Sequence, residues 1–392
     1  MSLTMQLTEQ LKEETLSILK SIVQIPSENP PGITKDIVEY LILNVFKEEE
    51  GYQNQIVTNN KDGVTLHNLV SRIGKGKDVI VLSGHFDVIP VGDTTQWKYP
   101  PFSAEVKDGV LYGRGSADTK GGIAFLIGVI KILSKIPKFL EKYTVMFLGT
   151  ADEEEGMIGS SSLANQGYMK DAKLLIVAEP TNLKIGIAEK GLLWVKLKIS
   201  GKAAHGSMPE EGINAIEKVM KIIPHLYELL EEKQNAILGK STLNIGKIIG
   251  GTAINIVPEQ VTIDLDYRLI PEQDQAELLQ KLKILQKDDL PVELQVIKQL
   301  PALFTDLNHP FVQNLHNISK QEMVGLPYAT DAAYLANIGK IDSKIPFIIY
   351  GPGNPADIHK TDEFIEIEQI FEAIEHLTNA ILQTYLPENV LV

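Results

Sequence analysis

Up to about residue 180 the chain alternates between two hydrophobic patterns. Leu11 to Val23 and Thr34 to Phe46 repeat apolar residues at helical spacing, whereas Val79 to Leu82, Thr144 to Leu148 and Leu174 to Ala178 are short, uninterrupted apolar runs of strand length. A strand that is apolar on both faces needs cover on both, so such runs separated by helices predict a parallel sheet buried between helices. Ile123 to Ile136 is the most apolar helical stretch, but Lys131 interrupts it and it falls short of the ~20 residues of a membrane span. From about residue 190 the pattern changes. LLWVKLKIS and EQVTIDLDYRL alternate with period two, as half-exposed antiparallel strands do, and helices are predicted near 213–233 and 273–287. Buried-strand texture returns at Pro346 to Tyr350, followed by a helix from Glu366 to Tyr385. The expected fold is α/β, a domain with a central, mostly parallel sheet, into which a second, α+β domain is inserted. The expected boundaries are 1–187 and 304–392 for the first domain and 188–303 for the insertion.

Length agrees with two domains, because 392 residues exceed what one hydrophobic core usually holds. A net charge of −14 argues against a nucleic-acid partner, since phosphate binding needs a basic face. Cysteine is absent, which excludes disulfides, thiolate nucleophiles and thiolate metal sites and leaves His, Asp and Glu as ligands for any transition metal. Glu9, Glu13 and Glu14 stand where a signal peptide would need a basic start and an apolar run. A cytoplasmic protein without a membrane partner is therefore expected.

The chemistry gathers at strand ends. VIVL runs into SGHFD, placing His85 and Asp87 just past a strand; TVMFL runs into GTADEEEG, with Glu153 and Glu154; LLIVA ends at Glu179; PFIIY leads through GPGNPADIH to His359. In open α/β sheets ligands bind at the carboxyl ends of strands. Asp118 joins them from VLYGRGSADTKGG, immediately before a helix. That glycine cluster is no phosphate loop: the third glycine of a GxGxxG would fall on Asp118, an anion, and no Gly-Lys-Ser/Thr follows. His67, His225, His309, His316 and His376 stand alone and are read as structural, and an acidic run such as DEEE is by itself usually a solvated helix start. Together, however, these carboxylates would repel one another without cations between them. His85, Asp118, Glu154, Glu179 and His359 suffice for two divalent metals if one carboxylate bridges. Two imidazoles and three carboxylates suit zinc, with cobalt or manganese as substitutes. Glu153 is left over as a general base, and Asp87, two residues past His85, is placed to accept the other imidazole N–H.

SGHFDVIPVGD, DGVLYGRGSADTKGG, DEEEGMIGS, AEPTN, GKAAHGSMPEEGINAI, GGTAINIVPE, DYRLIPE and YGPGNPADIHKTDEFI resemble, in order and over nearly the whole chain, the blocks of the M20 metallopeptidases and deacylases. The resemblance implies a zinc-peptidase-like catalytic domain with a lid and dimerisation domain inserted. It implies that His85 and Glu179 hold one metal and Glu154 and His359 the other, with Asp118 bridging and a cis peptide bond after it. Glu153 becomes the base and proton shuttle for hydrolysis of an amide. His205, in KAAHGSMP, becomes the oxyanion donor that reaches the partner subunit of a homodimer, and Asn255 and Arg268 grip a substrate carboxylate. Glu179, together with WKYPPF and GPGNPADIH, leans toward an N-acyl amino acid substrate of the succinyl-diaminopimelate desuccinylase kind. Acetylornithine deacetylase-like and dipeptidase or carboxypeptidase readings are the alternatives, because the chain departs from classical desuccinylases at Lys190-Gly191-Leu192 and Ala329-Thr330-Asp331-Ala332-Ala333. At those two departures Lys190 and Thr330 are expected to meet the substrate.

Overall fold

The computed structural model describes residues 7–284, 292–337 and 345–386, so the last residues of the helix expected at 273–287 lie outside it. The chain forms two compact units: residues 1–187 with 305–324 and 330–392, and residues 188–304 with 325–329.

The first unit is built on six strands of a nine-stranded sheet, in the order Gln53–Lys61, Val64–Gly74, Tyr143–Thr150, Asp78–His85, Ala172–Val177, Phe347–Ile349. The last four run parallel, as the apolar runs predict. The first two form a hairpin that joins antiparallel, so the sheet is mixed. The parallel strands are buried through most of their length, which is why their sequences lack alternation. Helix Gly121–Leu133 is buried on every side except at Lys131, and the amphipathic helix Ile367–Tyr385 packs beside it, with Ile374 against Gly128. A further sheet of three strands, Glu105–Lys107, Val110–Tyr112 and Phe364–Glu366, sutures two distant chain segments. It brings the glycine cluster after Tyr112 beside the segment that carries His359.

The second unit is a four-stranded antiparallel sheet in the order Thr242–Gly250, Gln260–Leu269, Gly191–Ser200, Val292–Leu300. Burial alternates along its central strands as their sequences predict. The inward residues Leu193, Val195, Leu197, Ile263 and Leu265 meet Val219, Ile222 and Leu226 of helix Ala215–Glu228 in one core.

Candidate metal centre

The five ligand candidates and Glu153 all belong to the first unit. Strand Asp78–His85 delivers His85 at its last position. Tyr143–Thr150 ends beside it, and Phe86 N–H donates to the Thr150 carbonyl at 2.8 Å, so the turn carrying Glu153 and Glu154 starts at the same edge. Ala178 N–H donates to the Ser83 carbonyl at 2.8 Å, which fixes the chain one residue before Glu179. Thr119 then donates its hydroxyl to the Ala178 carbonyl at 2.8 Å and draws the Asp118 turn onto that strand end. The Asp118–Thr119 peptide bond is cis. Two glycines make the turn fit. Gly115 has φ +82°, and a Cβ there would lie 2.6 Å from Val88; a Cβ on Gly122 would lie 2.6 Å from the Thr119 hydroxyl and 2.9 Å from Ala178.

The carboxylate of Asp118 lies between the two imidazoles. Its Oδ1 is 3.1 Å from His85 Nε2, and its Oδ2 is 3.2 Å from His359 Nε2. His359 Nε2 is also 3.1 Å from Glu154 Oε2. Ligand atoms of His85, Asp118 and Glu154 lie within 4.8 Å of one another. Glu179 is buried and close enough to act on both His85 and Asp118. Burial pushes the Glu179 and Glu153 carboxyls well above the usual carboxylate range, outweighing the pull of His85. Hydrogen bonds to Asp118 and Glu154 push His359 up to about 10. Burial opposes charge on His85, yet Asp118, Glu179 and Glu153 hold it protonated well above the ordinary imidazole range. Burial also works against Asp118, whose partners His359 and His85 nonetheless hold it well below. The cluster thus keeps protons where cations would otherwise stand.

Two observations fit this donor set to divalent metal ions. Glu154 Oε1 and Glu179 Oε1 are buried carboxylate oxygens with no hydrogen-bond donor, and a buried acceptor left unpaired is costly. Both imidazoles turn Nε2 to opposite oxygens of one carboxylate. When bound there, such ions would acidify a water and polarise a substrate carbonyl. Binding must displace at least the His359 proton, so zinc uptake by metal-free protein is expected to strengthen by about tenfold per pH unit for each proton displaced as pH rises toward about 10. A pH series of zinc affinities measured against a chelator checks the sign, and affinity independent of pH between 6 and 8 would contradict it.

Some residues act differently from the sequence reading. Asp87 does not orient His85 through its carboxylate: Oδ1 is 3.9 Å from Nδ1, and the Asp87 main-chain oxygen takes that role at 2.8 Å. The carboxylate instead accepts the N–H groups of Glu153 at 3.1 Å and Glu154 at 3.2 Å, and an Asn29 amide N–H at 2.9 Å. It therefore shapes the turn that carries Glu153 and Glu154. Thr330 is buried, and its hydroxyl accepts from Ala332 N–H at 3.2 Å at the start of the helix Ala332–Leu335. Asp331, which sequence reasoning passed over, is fully enclosed and receives the Thr150 hydroxyl at 2.6 Å. It stands close enough to raise the carboxyls of Glu153 and Glu179. Among the lone histidines, His309 caps a helix, His316 bonds the Gln321 carbonyl at 2.8 Å and His376 bonds Tyr350 at 3.0 Å.

The second unit holds the other candidates. His205 is exposed, and Gly206 N–H donates to the Asn255 carbonyl at 2.7 Å, joining the two loops. His205 Nδ1 lies 2.7 Å from the Ser207 hydroxyl and 3.2 Å from Ser207 N, which leaves Nε2 without a partner from this loop. The Arg268 guanidinium lies against Asp266 at 2.8 and 3.2 Å. Lys190 is buried, and its ammonium donates to the Lys240 carbonyl at 2.5 Å, which engages the group that was expected to meet substrate.

Residues 81–383 match the family model of peptidase family M20/M25/M40. A probable succinyl-diaminopimelate desuccinylase of Staphylococcus aureus is 30% identical over 96% of this chain and 98% of its own. An M20 family metallo-carboxypeptidase of Sulfolobus solfataricus has the same fold, with a TM-score of 0.74 at 21% identity over 94% of this chain and 98% of its own. A dinuclear metal binding peptidase of the M20 family from Bacillus subtilis follows with a TM-score of 0.66 at 16% identity over 96% and 99%.

Proposed function

We propose, from the premise that this chain belongs to peptidase family M20/M25/M40, that it removes an N-acyl group from an amino acid by two-metal hydrolysis of the amide. The observation that carries this reading is the Asp118 carboxylate set between His85 and His359. His85 and Glu179 would hold one ion, Glu154 and His359 the other, and Asp118 both; zinc suits the set, with cobalt or manganese able to replace it. Glu153 takes a proton from the attacking water and passes it to the leaving amine. Burial, which raises its carboxyl, favours the protonated form it needs halfway through. Asp87 keeps that side chain in place through the two main-chain N–H groups. Arg268 is the candidate for a substrate carboxylate, which would exchange for Asp266 on the planar guanidinium.

N-succinyl-diaminopimelate is the substrate class favoured here, supported by the relative over nearly the full chain and by Glu179. A carboxypeptidase or dipeptidase reading is the runner-up, supported by the structural likeness to a metallo-carboxypeptidase; N-acetylornithine is the other acyl amino acid to test. A panel of N-succinyl, N-acetyl and dipeptide substrates separates them by kcat/KM. The highest value is expected on an N-succinyl diamino acid, and a preference for dipeptides overturns the substrate assignment while leaving the chemistry intact.

We further propose a homodimer formed through the second unit. Ile216 and Met220 on its helix, Ile248 and Ile249 on its edge strand and Ile254 in the adjoining loop are all exposed, apolar surface around that edge which association through it would cover. His205 would donate its Nε2–H to the oxyanion in the partner subunit's site, and His205→Ala is expected to lose roughly 10² to 10³ in kcat. Mixed dimers of His205→Ala with Glu153→Ala chains are expected to recover toward half of wild-type activity, because one site then has both groups. No recovery after verified subunit exchange would remove His205 from a shared site.

A further inference from the structure

Behind the ligands lies a buried ion pair that the chemistry does not use. Arg114 and Glu363 are both almost fully enclosed, and Arg114 Nη1 donates to Glu363 Oε2 at 2.6 Å. The other oxygen, Oε1, accepts the main-chain N–H of Ala117 at 3.0 Å and of Asp118 at 3.1 Å. Arg114 Nη1 also donates to the Lys360 carbonyl at 3.1 Å, next to His359. The guanidinium lies 5.1 Å over the Trp97 ring, whose indole N–H is tied to the Val91 carbonyl at 3.0 Å. Gly113 N–H donates to the Glu363 carbonyl at 2.9 Å, continuing the pairing of Val110–Tyr112 with Phe364–Glu366. One carboxylate therefore grips the peptide group that leads into Asp118, and its partner grips the residue after His359.

We propose that Glu363, held by Arg114, is a positioning residue that fixes the main chain of Asp118 and thereby sets the affinity of both metal positions. Asp118 offers one oxygen toward His85 and the other toward His359, so tilting its peptide group misplaces both at once. The effect acts through backbone hydrogen bonds, and neither side chain of the pair is among the candidate ligands. This inference rests on the two-metal reading above.

The test separates positioning from plain stabilisation. Glu363→Gln keeps the shape of the side chain but cannot accept from Arg114 and from the two N–H groups with the same charge. The double replacement Arg114→Met with Glu363→Met fills the same space with apolar side chains; replacing a whole buried pair in this way is often neutral or stabilising, but it provides no acceptor for Asp118. Zinc affinity of metal-stripped protein is measured by competition with a chromophoric chelator, alongside thermal melting of the metal-free form. Expected is a fall of about 10- to 100-fold in affinity at both positions in each variant that melts cooperatively, the double variant included. Wild-type zinc affinity in either folded variant overturns the proposal, and the pair is then only a structural brace. Wild-type protein that binds no zinc overturns the two-metal reading itself, and the proposal with it.

Discussion

Glu153→Ala is expected to leave both metals bound and the fold intact while lowering kcat by about 10² to 10⁴, the range a positioned general base contributes. The separation is possible because Glu153 is held by its main chain. Its N–H donates to Asp87 Oδ1 at 3.1 Å, and that bond survives the loss of the side chain. Its neighbour Glu154 instead points its carboxylate at His359, 3.1 Å away, as a ligand would. KM should change little, since the base works on the water and not on the bound acyl group. Metal analysis and kcat on the same preparation decide the matter, and metal lost in step with activity would mean that Glu153 and Glu154 have exchanged roles.

Where burial leaves a simple mark on the chain, the fold was legible. Asp78–His85, Tyr143–Thr150 and Ala172–Val177 read as strands because they are covered on both faces, and Gly191–Ser200 and Gln260–Leu269 because they are covered on one. Gln53–Lys61 was missed, since its QNQIVTNNK is mostly polar and partly exposed at a sheet edge. The Asp62-Gly63 pair after it, with φ of 51° and 84°, was the available hairpin signal. Without that hairpin the sheet read as mostly parallel and its antiparallel flank went unseen.

The candidate ligands stand at strand ends, in places readable from the chain, so the cluster around Asp118 could be assembled from the sequence alone. What surrounds it could not. The spacing of His85 and Asp87 is the same whether the imidazole meets a main-chain oxygen or a carboxylate, and the structure chooses the former. Asp331 sits in ATDAA, indistinguishable in sequence from an ordinary helix start, and only the fold brings it to Thr150. Glu363 meets Arg114 through a strand pairing between remote segments, a contact that no local pattern announces.

Removing the metals is the other change expected to have a very large effect, because in the two-metal reading Asp118, Glu154 and Glu179 act in hydrolysis only through the ions they would hold. Stripped protein should retain its fold, since protons on His85 and His359 already compensate part of the cluster, and should hydrolyse no acyl amino acid or dipeptide at a measurable rate. The decisive measurement is a titration of this stripped protein with zinc, cobalt or manganese, with bound metal per chain and hydrolysis of the substrate panel followed on the same samples. Activity that is absent without metal and rises to its plateau at two ions per chain is the result expected; full activity in protein shown to be metal-free would contradict the account.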